Sequence, residues 1–267
     1  MVEKIGIFVS KDEFSKIAID QLISMGYKPV LFSFKKTGFP EEIVLKFGDI
    51  ENFMKCVSMY SIKKIVFAGK INARDIFKKN MAQSGIEFLK ATKDLCPEKI
   101  LKNLVKFITE NGIELMSLTE VFRRYIAEEK IYTNIKPDES QWKDILFGWN
   151  IAKNIAHLGI GQAVAVKNGM VIAVEGIEGT DKMIERAGRY SKDFTIVKVI
   201  KDNQDIRFDL PTIGKKTIEN LIRAGGKVLA IEAGKTIMLE PEIIINIADR
   251  NNLIIAGITG KEIMDDY

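Results

Sequence analysis

The sequence has 267 residues, of which 46% are hydrophobic and 28% are charged. This length and balance fit a globular protein with one large domain or two smaller ones. The net charge is only +4, from 40 basic and 36 acidic residues. A protein that binds nucleic acid generally carries a stronger basic excess or a basic stripe, so we expect no nucleic-acid partner.

The sequence offers little for chemistry based on histidine or cysteine. It contains two cysteines, Cys56 and Cys96, and one histidine, His157. These residues lack the CxxC and HxxxH spacings of an ordinary zinc site. A lone histidine near the end of a predicted helix is more typical of a structural or surface position than of a catalytic triad. We therefore expect catalysis to use carboxylates, lysine, arginine and a hard metal ion.

The first residues lack the pattern of a secretory signal. Met1–Ser10 is predicted to form an apolar strand, whereas a signal has a basic segment followed by a longer apolar core. No window of the sequence reaches the roughly 18 apolar residues of a membrane span. We expect a cytoplasmic protein with reduced thiols.

The first half of the sequence alternates short apolar strands with amphipathic helices. We predict strands at Ile5–Val9, Pro29–Phe34, Lys64–Ala68 and Ile113–Met116, and helices at Phe14–Met25, Asp49–Met59 and within Asp75–Asn111. Because strands that alternate with helices through short turns usually pair in parallel, we predict a Rossmann-like parallel α/β domain. The turn after the first strand has no GxGxxG pattern, which argues against a nicotinamide cofactor.

A polar stretch without periodicity, Lys130–Ser140, follows a short helix that we predict at Val121–Glu129. We place the domain boundary in this stretch, which gives domains at residues 1–132 and 133–267. The second half is predicted to contain hairpins and helices in no strict alternation. Its expected fold class is therefore α+β with a mixed sheet.

Turn and cap signals define the elements of the second domain. Asn168-Gly169 predicts a hairpin of Ala163–Lys167 with Met170–Glu175, and Thr180 is the expected N-cap of the following helix. A second hairpin is predicted about Gly234-Lys235. Its strands are Val228–Ala233 and Thr236–Leu239, and the other elements are strands at Thr195–Ile200 and Leu253–Gly257 and helices at Trp142–Leu158, Ile184–Tyr190, Lys215–Ala224 and Ile243–Arg250.

The first polar segment of interest is Glu175–Asp181, which follows an apolar strand. It contains Glu178, Gly179, Thr180 and Asp181, and its glycines allow the backbone to approach a ligand closely. The amides that open the next helix are suited to hold a phosphate. An ordinary strand-to-helix loop fits the pattern equally well, so the pattern alone favours neither interpretation.

The second polar segment contains Asp205, Arg207 and Asp209, which alternate with apolar residues. In an extended chain these three side chains share one face. Carboxylates on such a face can bind a metal while the guanidinium clamps a phosphate. Lys198 on the preceding strand is a further positive charge for the same site. Composition alone favours a simpler interpretation, a half-exposed strand with a charged solvent face.

Several runs of the sequence resemble a known family. The longest are VIAVEGIEGTDKMIERAG at residues 171–188, QDIRFDLPTIG at residues 204–214 and AGGKVLAIEAGKTIMLE at residues 224–240. These runs, together with Asp144–Gly148 and Gly161-Gln162, are similar to the LpxI type of UDP-2,3-diacylglucosamine hydrolase. The resemblance covers nearly the whole chain and is most specific from Gly161 to Gly234.

The resemblance implies a reaction and its partners. Enzymes of this family cleave the pyrophosphate of UDP-2,3-diacylglucosamine to 2,3-diacylglucosamine 1-phosphate (lipid X) and UMP, in lipid A biosynthesis. They use a divalent cation, typically Mg²⁺, and water as the nucleophile. The acylated substrate implies peripheral contact with the inner face of the membrane, and a homodimer is the assembly we consider.

The resemblance also assigns residues to roles. The essential aspartate of the family maps onto Asp209 in the Asp-Leu-Pro motif, and Arg207 and Asp205 accompany it as expected catalytic residues. The expected metal ligands are Asp209, Asp181 and Glu178. The expected substrate-binding residues are Gln162, Gly179, Thr180, Lys198 and Thr212.

Two other functions stay open at this point. The turn Ser10–Phe14 departs from the glycine-rich pattern of the family, which would suit a hydrolase of another nucleotide-sugar diphosphate on the same scaffold. The second alternative is a nucleotide- or lipid-binding protein without activity. The presence of Asp209 beside Arg207 favours a catalytic protein.

Overall fold

The computed structural model describes residues 2–69, 82–91, 97–202, 204–207 and 209–260. Cys96 and parts of the predicted helical region Asp75–Asn111 lie outside the described residues. The chain divides into an N-terminal unit, which runs to Arg123 and includes Ile206 and Arg207, and a C-terminal unit that contains the rest. This division falls earlier in the chain than the boundary predicted after residue 132.

The N-terminal unit alternates strands and helices around one parallel sheet. Its described elements are β1 (Lys4–Phe8), α1 (Glu13–Ser24), β2 (Lys28–Ser33), β3 (Ile43–Val44), α2 (Ile50–Tyr60), β4 (Lys64–Phe67), α3 (Gln83–Ala91), α4 (Pro97–Glu110), β5 (Glu114–Leu115) and α5 (Leu118–Val121). The strand order is β3-β2-β1-β4-β5, and the four strand pairs are all parallel. The predicted parallel α/β arrangement is therefore confirmed.

Aromatic side chains fill the core of the N-terminal unit. The ring centroid of Phe8 lies 5.1 Å from that of Phe67 and 5.5 Å from that of Phe53. Phe32 meets Phe53 edge-on with the ring centroids 5.4 Å apart. Aromatic residues suit strands because their rings pack well on a pleated surface, and offset or edge-on pairs stabilise the contact. The same aromatic residues therefore explain both the strands predicted from the sequence and the packing of the core.

The C-terminal unit is built on a mixed six-stranded sheet. Its described elements are β6 (Lys130–Ile131), α6 (Glu139–His157), β7 (Ala163–Lys167), β8 (Met170–Val174), α7 (Thr180–Tyr190), β9 (Phe194–Lys198), β10 (Thr212–Ile213), α8 (Lys215–Ala224), β11 (Gly226–Glu232), β12 (Ile237–Met238), α9 (Pro241–Arg250) and β13 (Ile254–Ile258). The strand order is β6-β13-β11-β9-β7-β8. The inner strands β13, β11 and β9 pair in parallel, and the outer strands pair antiparallel. This confirms the predicted mixed sheet.

Each face of this sheet carries its own hydrophobic core. Alternate strand residues such as Val164 and Val197 pack against α6 on one face. Ala163, Ile196 and their neighbours pack against α7, α8 and α9 on the other. Successive side chains of a strand point to opposite faces, which explains why both faces are apolar here. Polar side chains in such a sheet are therefore exceptional, and two buried ones, Lys198 and Glu232, are the last residues of their strands.

The hairpin of β7 and β8 follows the sequence prediction. Its turn residues Asn168 and Gly169 both have positive φ, 50° and 71°, which is the backbone of a type I′ turn. We call this turn the closed end of the hairpin. At the other end lie Gly161 and Gln162, which precede β7, and Glu175, which follows β8; we call these three residues the open end.

The predicted second hairpin about Gly234-Lys235 is wrong. β12 does not pair with β11, because it forms a separate two-stranded parallel sheet with β10. The amide of Ile237 donates to the carbonyl of Pro211 at 2.8 Å, and that of Ala127 donates to the carbonyl of Thr236 at 2.8 Å. These partners are distant in sequence, and they bond the backbone amide and carbonyl groups that a local hairpin would use.

The region after α5 also differs from its prediction. The predicted helix Val121–Glu129 is replaced by the end of α5, a short 3₁₀ turn at Arg123–Tyr125 and an extended segment. The polar stretch Lys130–Ser140 contains β6, which pairs antiparallel with β13. It also contains the capping box of α6, in which Asp138 and Gln141 bond each other's backbone amides. Within the predicted helix itself, Ile126 forms a bridge with Ile237, so contacts with a distant segment override the local helical pattern.

Among the described residues, no helix is both long enough and apolar enough to cross a bilayer. This agrees with the sequence, where no apolar window was long enough.

Candidate active site

Glu175 is a buried carboxylate at the open end of the hairpin. The residue is only 7% exposed. Oε2 accepts a hydrogen bond from the amide of Gln162 at 3.2 Å, and Oε1 accepts one from the hydroxyl of Thr180 at 2.9 Å. Two predicted substrate-binding residues thus meet through a residue that the predicted site omitted. The signal that was available is a carboxylate directly after an apolar strand and before a glycine.

Gly161 is required for this arrangement. A Cβ atom at this position would overlap the carbonyl oxygen and carbonyl carbon of Glu175. Only glycine lets the two chain segments approach this closely. The contact brings the amide of Gln162 within reach of the Glu175 carboxylate.

Lys198 lies on the same face of the sheet as Glu175. Ala163 pairs with Lys198 across β7 and β9, and its carbonyl accepts from the amide of Glu175 at 2.9 Å. Residues opposite each other in an antiparallel pair point to the same face, so Glu175 and Lys198 flank Ala163. Lys198 is 5% exposed, and its Nζ donates to the carbonyl of Thr212 at 3.0 Å. Lys198 therefore connects two further members of the predicted site region, β9 and β10.

The first turn of α7 has no side-chain cap. Gly179 is the N-cap, with φ 83° and no side-chain cap bond, so the prediction that Thr180 is the cap is wrong. The reason is that Thr180 is already the first helical residue and its hydroxyl donates to Glu175. The first amides of a helix lack intrahelical partners and attract anions. The predicted phosphate contact thus has a suitable backbone.

A second helix start without a side-chain cap lies beside the first. α8 begins after Gly214, again without a side-chain cap bond. Asp181 in the first turn of α7 accepts from Nζ of Lys216 in the first turn of α8 at 2.9 Å. This hydrogen bond raises the pKa of Lys216. The ion pair links the first turns of the two helices and places a cation there.

Glu178 is tied to α7. Its Oε1 lies 2.6 Å from Nη2 of Arg186, and the same nitrogen donates to the carbonyl of Val174 at 2.7 Å. The hydrogen bond from Arg186 lowers the pKa of Glu178. The pair closes the loop between β8 and α7, which gives Glu178 a structural partner in addition to its expected role as a metal ligand.

The segment with Asp205, Arg207 and Asp209 is a turn. The amide of Asp209 donates to the carbonyl of Asp205 at 3.0 Å, so the prediction of an extended strand with three side chains on one face is wrong. A hydrogen bond across four residues is incompatible with extended backbone. The carbonyl of Arg207 accepts from the amide of Leu118 at 2.9 Å within the N-terminal unit. The catalytic roles of the three residues stay predictions.

The carboxylates expected to bind Mg²⁺ are those of Asp209, Asp181 and Glu178. Within the described residues, no group of three or more Asp, Glu, His or Cys side chains is arranged to hold a metal ion. Glu178 and Asp181 are each engaged by a cation, Arg186 and Lys216. The set Asp209, Asp181 and Glu178 is therefore not assembled as a cage of three carboxylates in this conformation.

His157 lies at the protein surface, where the sequence placed it. Its Nδ1 is 2.8 Å from Oδ2 of Asp202, and the two side chains are 73% and 48% exposed. It takes no part in the polar contacts around Glu175 that the described residues form. Its position is that of a surface residue near the end of α6.

Comparisons with known proteins cover nearly the whole chain. Residues 4–125 match the family model described as the LpxI N-terminal domain, and residues 128–256 match the LpxI C-terminal domain. A UDP-2,3-diacylglucosamine pyrophosphatase LpxI from Caulobacter vibrioides is 27% identical over 227 residues, which are 80% of this chain and 81% of the relative. A solved N5-carboxyaminoimidazole ribonucleotide synthetase from Thermotoga maritima is 16% identical with a TM-score of 0.22, over 66% of this chain and 42% of the other. This last likeness is too low to support a conclusion.

Proposed function

The chain belongs to the LpxI family, and from that premise we propose that it hydrolyses the pyrophosphate bond of UDP-2,3-diacylglucosamine in lipid A biosynthesis. The products are 2,3-diacylglucosamine 1-phosphate and UMP. The observation that carries the proposal is the pair of uncapped helix starts, α7 and α8, beside the buried Glu175 and Lys198. This arrangement offers amide donors and cations to a diphosphate.

The residues of the C-terminal unit have distinct tasks in this proposal. The first amides of α7 and α8 bind phosphate oxygens, because both the amides and the helix dipoles favour negative charge. Lys216 adds a positive charge at the same place. Lys198, held by Thr212, orients the strand end next to them. These fixed donors stabilise charge that grows on the phosphate as the bond breaks.

Asp209 is proposed to orient the attacking water and to accept its proton. It is an exposed residue that follows the turn from Asp205, three positions before Thr212 in the sequence. A carboxylate can take a proton from water when it lies within hydrogen-bond reach of it. Arg207 and Asp205 are proposed to support it, the first by charge and the second through the turn.

Mg²⁺ is proposed as the cofactor, with Asp209, Asp181 and Glu178 as candidate ligands. Mg²⁺ usually binds one or two protein carboxylates together with waters and phosphate oxygens of the substrate, so a cage of three acids is unnecessary. When bound, it would neutralise charge on the diphosphate. Asp181 or Glu178 would first have to exchange its cationic partner, Lys216 or Arg186, for the metal.

The N-terminal unit contains an apolar cavity that is suited to an apolar group. Its volume is about 90 Å³, and its walls include Phe8, Phe34, Phe53 and Phe67. Ligand pockets for apolar groups are typically lined by aromatic and aliphatic side chains of this kind. The volume suits the end of an acyl chain better than a whole chain.

Peripheral contact with the inner face of the membrane is part of the proposal. Leu158 and Ile160 are 69% and 52% exposed, and Ile177 is fully exposed. These apolar side chains flank Gly161 and Glu175 at the open end, where a lipid substrate would arrive. Sedimentation with liposomes tests this point. Recovery of all the protein in the supernatant, with and without anionic lipid, would reject membrane contact.

A product assay tests the function. The protein is incubated with UDP-2,3-diacylglucosamine, with and without Mg²⁺, and the products are separated by chromatography and followed by ³¹P NMR. Formation of UMP and the sugar 1-phosphate is the expected result. Faster turnover of non-acylated UDP-glucosamine would indicate a hydrolase of another nucleotide sugar, and binding without turnover would indicate a protein without activity.

A further inference from the structure

We propose that Glu175 is a positioning residue that fixes the Thr180 hydroxyl with its lone pairs, not its proton, directed at the ligand. The inference rests on the proposed function, because it names how one part of that site is oriented. Glu175 itself is 7% exposed and acts through Thr180 and Gln162.

The geometry leaves Thr180 a single role. A threonine hydroxyl has one proton and two lone pairs. The proton is donated to Oε1 of Glu175 at 2.9 Å, and the other carboxylate oxygen accepts from the amide of Gln162 at 3.2 Å. Both oxygens of Glu175 thus act as acceptors within its own surroundings. Thr180 Oγ1 can then only accept a hydrogen bond from a ligand.

This role differs from that of its neighbours. Thr180 is the first residue of α7, where the uncapped backbone amides offer donors to a phosphate. Its oxygen adds one acceptor to this group of donors. An acceptor at this place fits an O–H group next to the phosphate. Two sources supply such a group, the attacking water and a hydroxyl of the substrate sugar.

The chain contains a matched control for Glu175. Asp144 is also a buried carboxylate, 4% exposed, that accepts two hydrogen bonds beside the same hairpin. Its donors are the amides of Asn168 at 3.0 Å and Gly169 at 2.7 Å. No hydroxyl is involved, and the residue lies at the closed end. Asp144 therefore matches the burial and bonding of Glu175 without its connection to Thr180.

The test is a double-mutant cycle with Glu175→Gln and Thr180→Val. A glutamine has one carbonyl oxygen, so its NH₂ group faces one of the two donors. We expect each variant to lower kcat/KM by about 10- to 100-fold, since a small misplacement in a site has effects of that size. The double variant should be no less active than the less active of the two single variants, because the two residues act as a unit. Thr180→Ser, which keeps the hydroxyl, should restore most of the activity.

The kinetic constants identify the source of the O–H group. A loss confined to kcat indicates the attacking water, and a loss mainly in KM indicates a sugar hydroxyl bound in the ground state. Asp144→Asn should leave both constants within about twofold of wild type. Equal losses in Asp144→Asn and Glu175→Gln, strictly additive effects in the cycle, or an unchanged Glu175→Gln would each overturn the inference.

Hydrogen exchange separates this inference from the proposed function. If the wild-type protein does not turn over the substrate, the proposed function fails. The exchange rates of the backbone amides near Glu175 still test its positioning role in that case. Glu175→Gln should speed exchange at Gln162 and in the first turn of α7, whereas Asp144→Asn should speed it only at the closed end. No change at Gln162 in Glu175→Gln would refute the positioning role.

Discussion

The two ends of the β7–β8 hairpin use the same device for different purposes. At the closed end Asp144 accepts two backbone amides of the turn. At the open end Glu175 accepts one backbone amide and one hydroxyl. The ends are separated by the five residues of β7, or about 17 Å at the usual rise of a strand.

The difference lies in what each donor keeps after its bond is made. A turn amide has a single proton, so the hydrogen bonds to Asp144 use the whole donor capacity of the Asn168 and Gly169 amides. A hydroxyl that donates to Glu175 still has two lone pairs, and it stands at an uncapped helix start. Burial and hydrogen bonding alone therefore do not separate Glu175 from Asp144. The role proposed for Glu175 rests on the unused bonding capacity of the Thr180 hydroxyl.

The largest expected effect tests the catalytic role proposed for Asp209. Asp209→Ala should lower kcat by about 10²-fold or more, because it removes the group proposed to orient water. Turnover of UDP-2,3-diacylglucosamine measures the effect, and circular dichroism checks that the fold is kept. Asp205→Ala is the companion variant and should be milder, since its role is support. Activity of Asp209→Ala within about threefold of wild type would remove it from the mechanism.

A smaller effect is expected from adding one methyl group at each end. Gly161→Ala should destabilise the fold by about 1–3 kcal/mol, because the new Cβ would overlap the backbone of Glu175. It should also impair turnover, since the segment at residue 161 must move away from Glu175. Gly169→Ala is the control: its Cβ meets nothing within 4 Å, but its φ of 71° is left-handed. This strain costs about 1–2 kcal/mol and should not change activity.

Chemical denaturation and turnover measured together decide this comparison. Equal losses of activity in Gly169→Ala and Gly161→Ala, at equal folded fraction, would show that the two ends do not differ in function. Faster exchange at the Gln162 amide in Gly161→Ala alone would support a role confined to the open end.

The smallest effect concerns a third carboxylate, Glu42 in the N-terminal unit. Burial raises its pKa, but hydrogen bonds from the Thr37 hydroxyl, the amides of Gly38 and Thr37 and the Ser33 hydroxyl outweigh it and lower the pKa from 4.5 to about 2. Like Glu175 it accepts hydrogen bonds from hydroxyls, here those of Ser33 and Thr37. Its donors all lie within nine residues of it in the sequence.

The pH dependence of stability follows from that pKa. Because the folded pKa is below the unfolded value, Glu42 stabilises the fold fully above about pH 4.5, and this contribution is lost as the pH falls toward 2. Glu42→Gln should be less stable than wild type at pH 6, and the gap should narrow between pH 4.5 and 2. Denaturation at several pH values measures it. A gap that stays constant over this range would show that ionised Glu42 adds no stability.

Local signals predicted the fold well where the partners are neighbours in sequence. Asn168-Gly169 specified its hairpin because a type I′ turn needs two residues that tolerate positive φ. Gly234-Lys235 failed because β12 pairs with β10 instead. The choice between a near and a distant strand depends on packing, which a local pattern does not contain.

The sequence predicted the candidate site only in part, because some of its contacts join residues that are distant in the sequence. The segment Glu175–Asp181 was recognised, but Glu175 was omitted because its importance comes from contacts with Gln162 and Thr180. Alternation of Asp205 and Asp209 with apolar residues suggested a strand, whereas their backbones form a turn. A pattern of five residues is too short to separate the two. The roles of Asp209, Arg207 and Asp205 come from the family resemblance and await the experiments above.

The short outer strand β6 has a consequence for association between chains. A sheet edge with free backbone groups is a template for pairing with another chain, and proteins protect such edges with short strands and lysines. β6 has two residues, one of them Lys130, which pairs with Glu128 at 2.6 Å. This edge of the six-stranded sheet is therefore protected against aggregation. If the protein forms a homodimer, we expect it to use a surface other than β6.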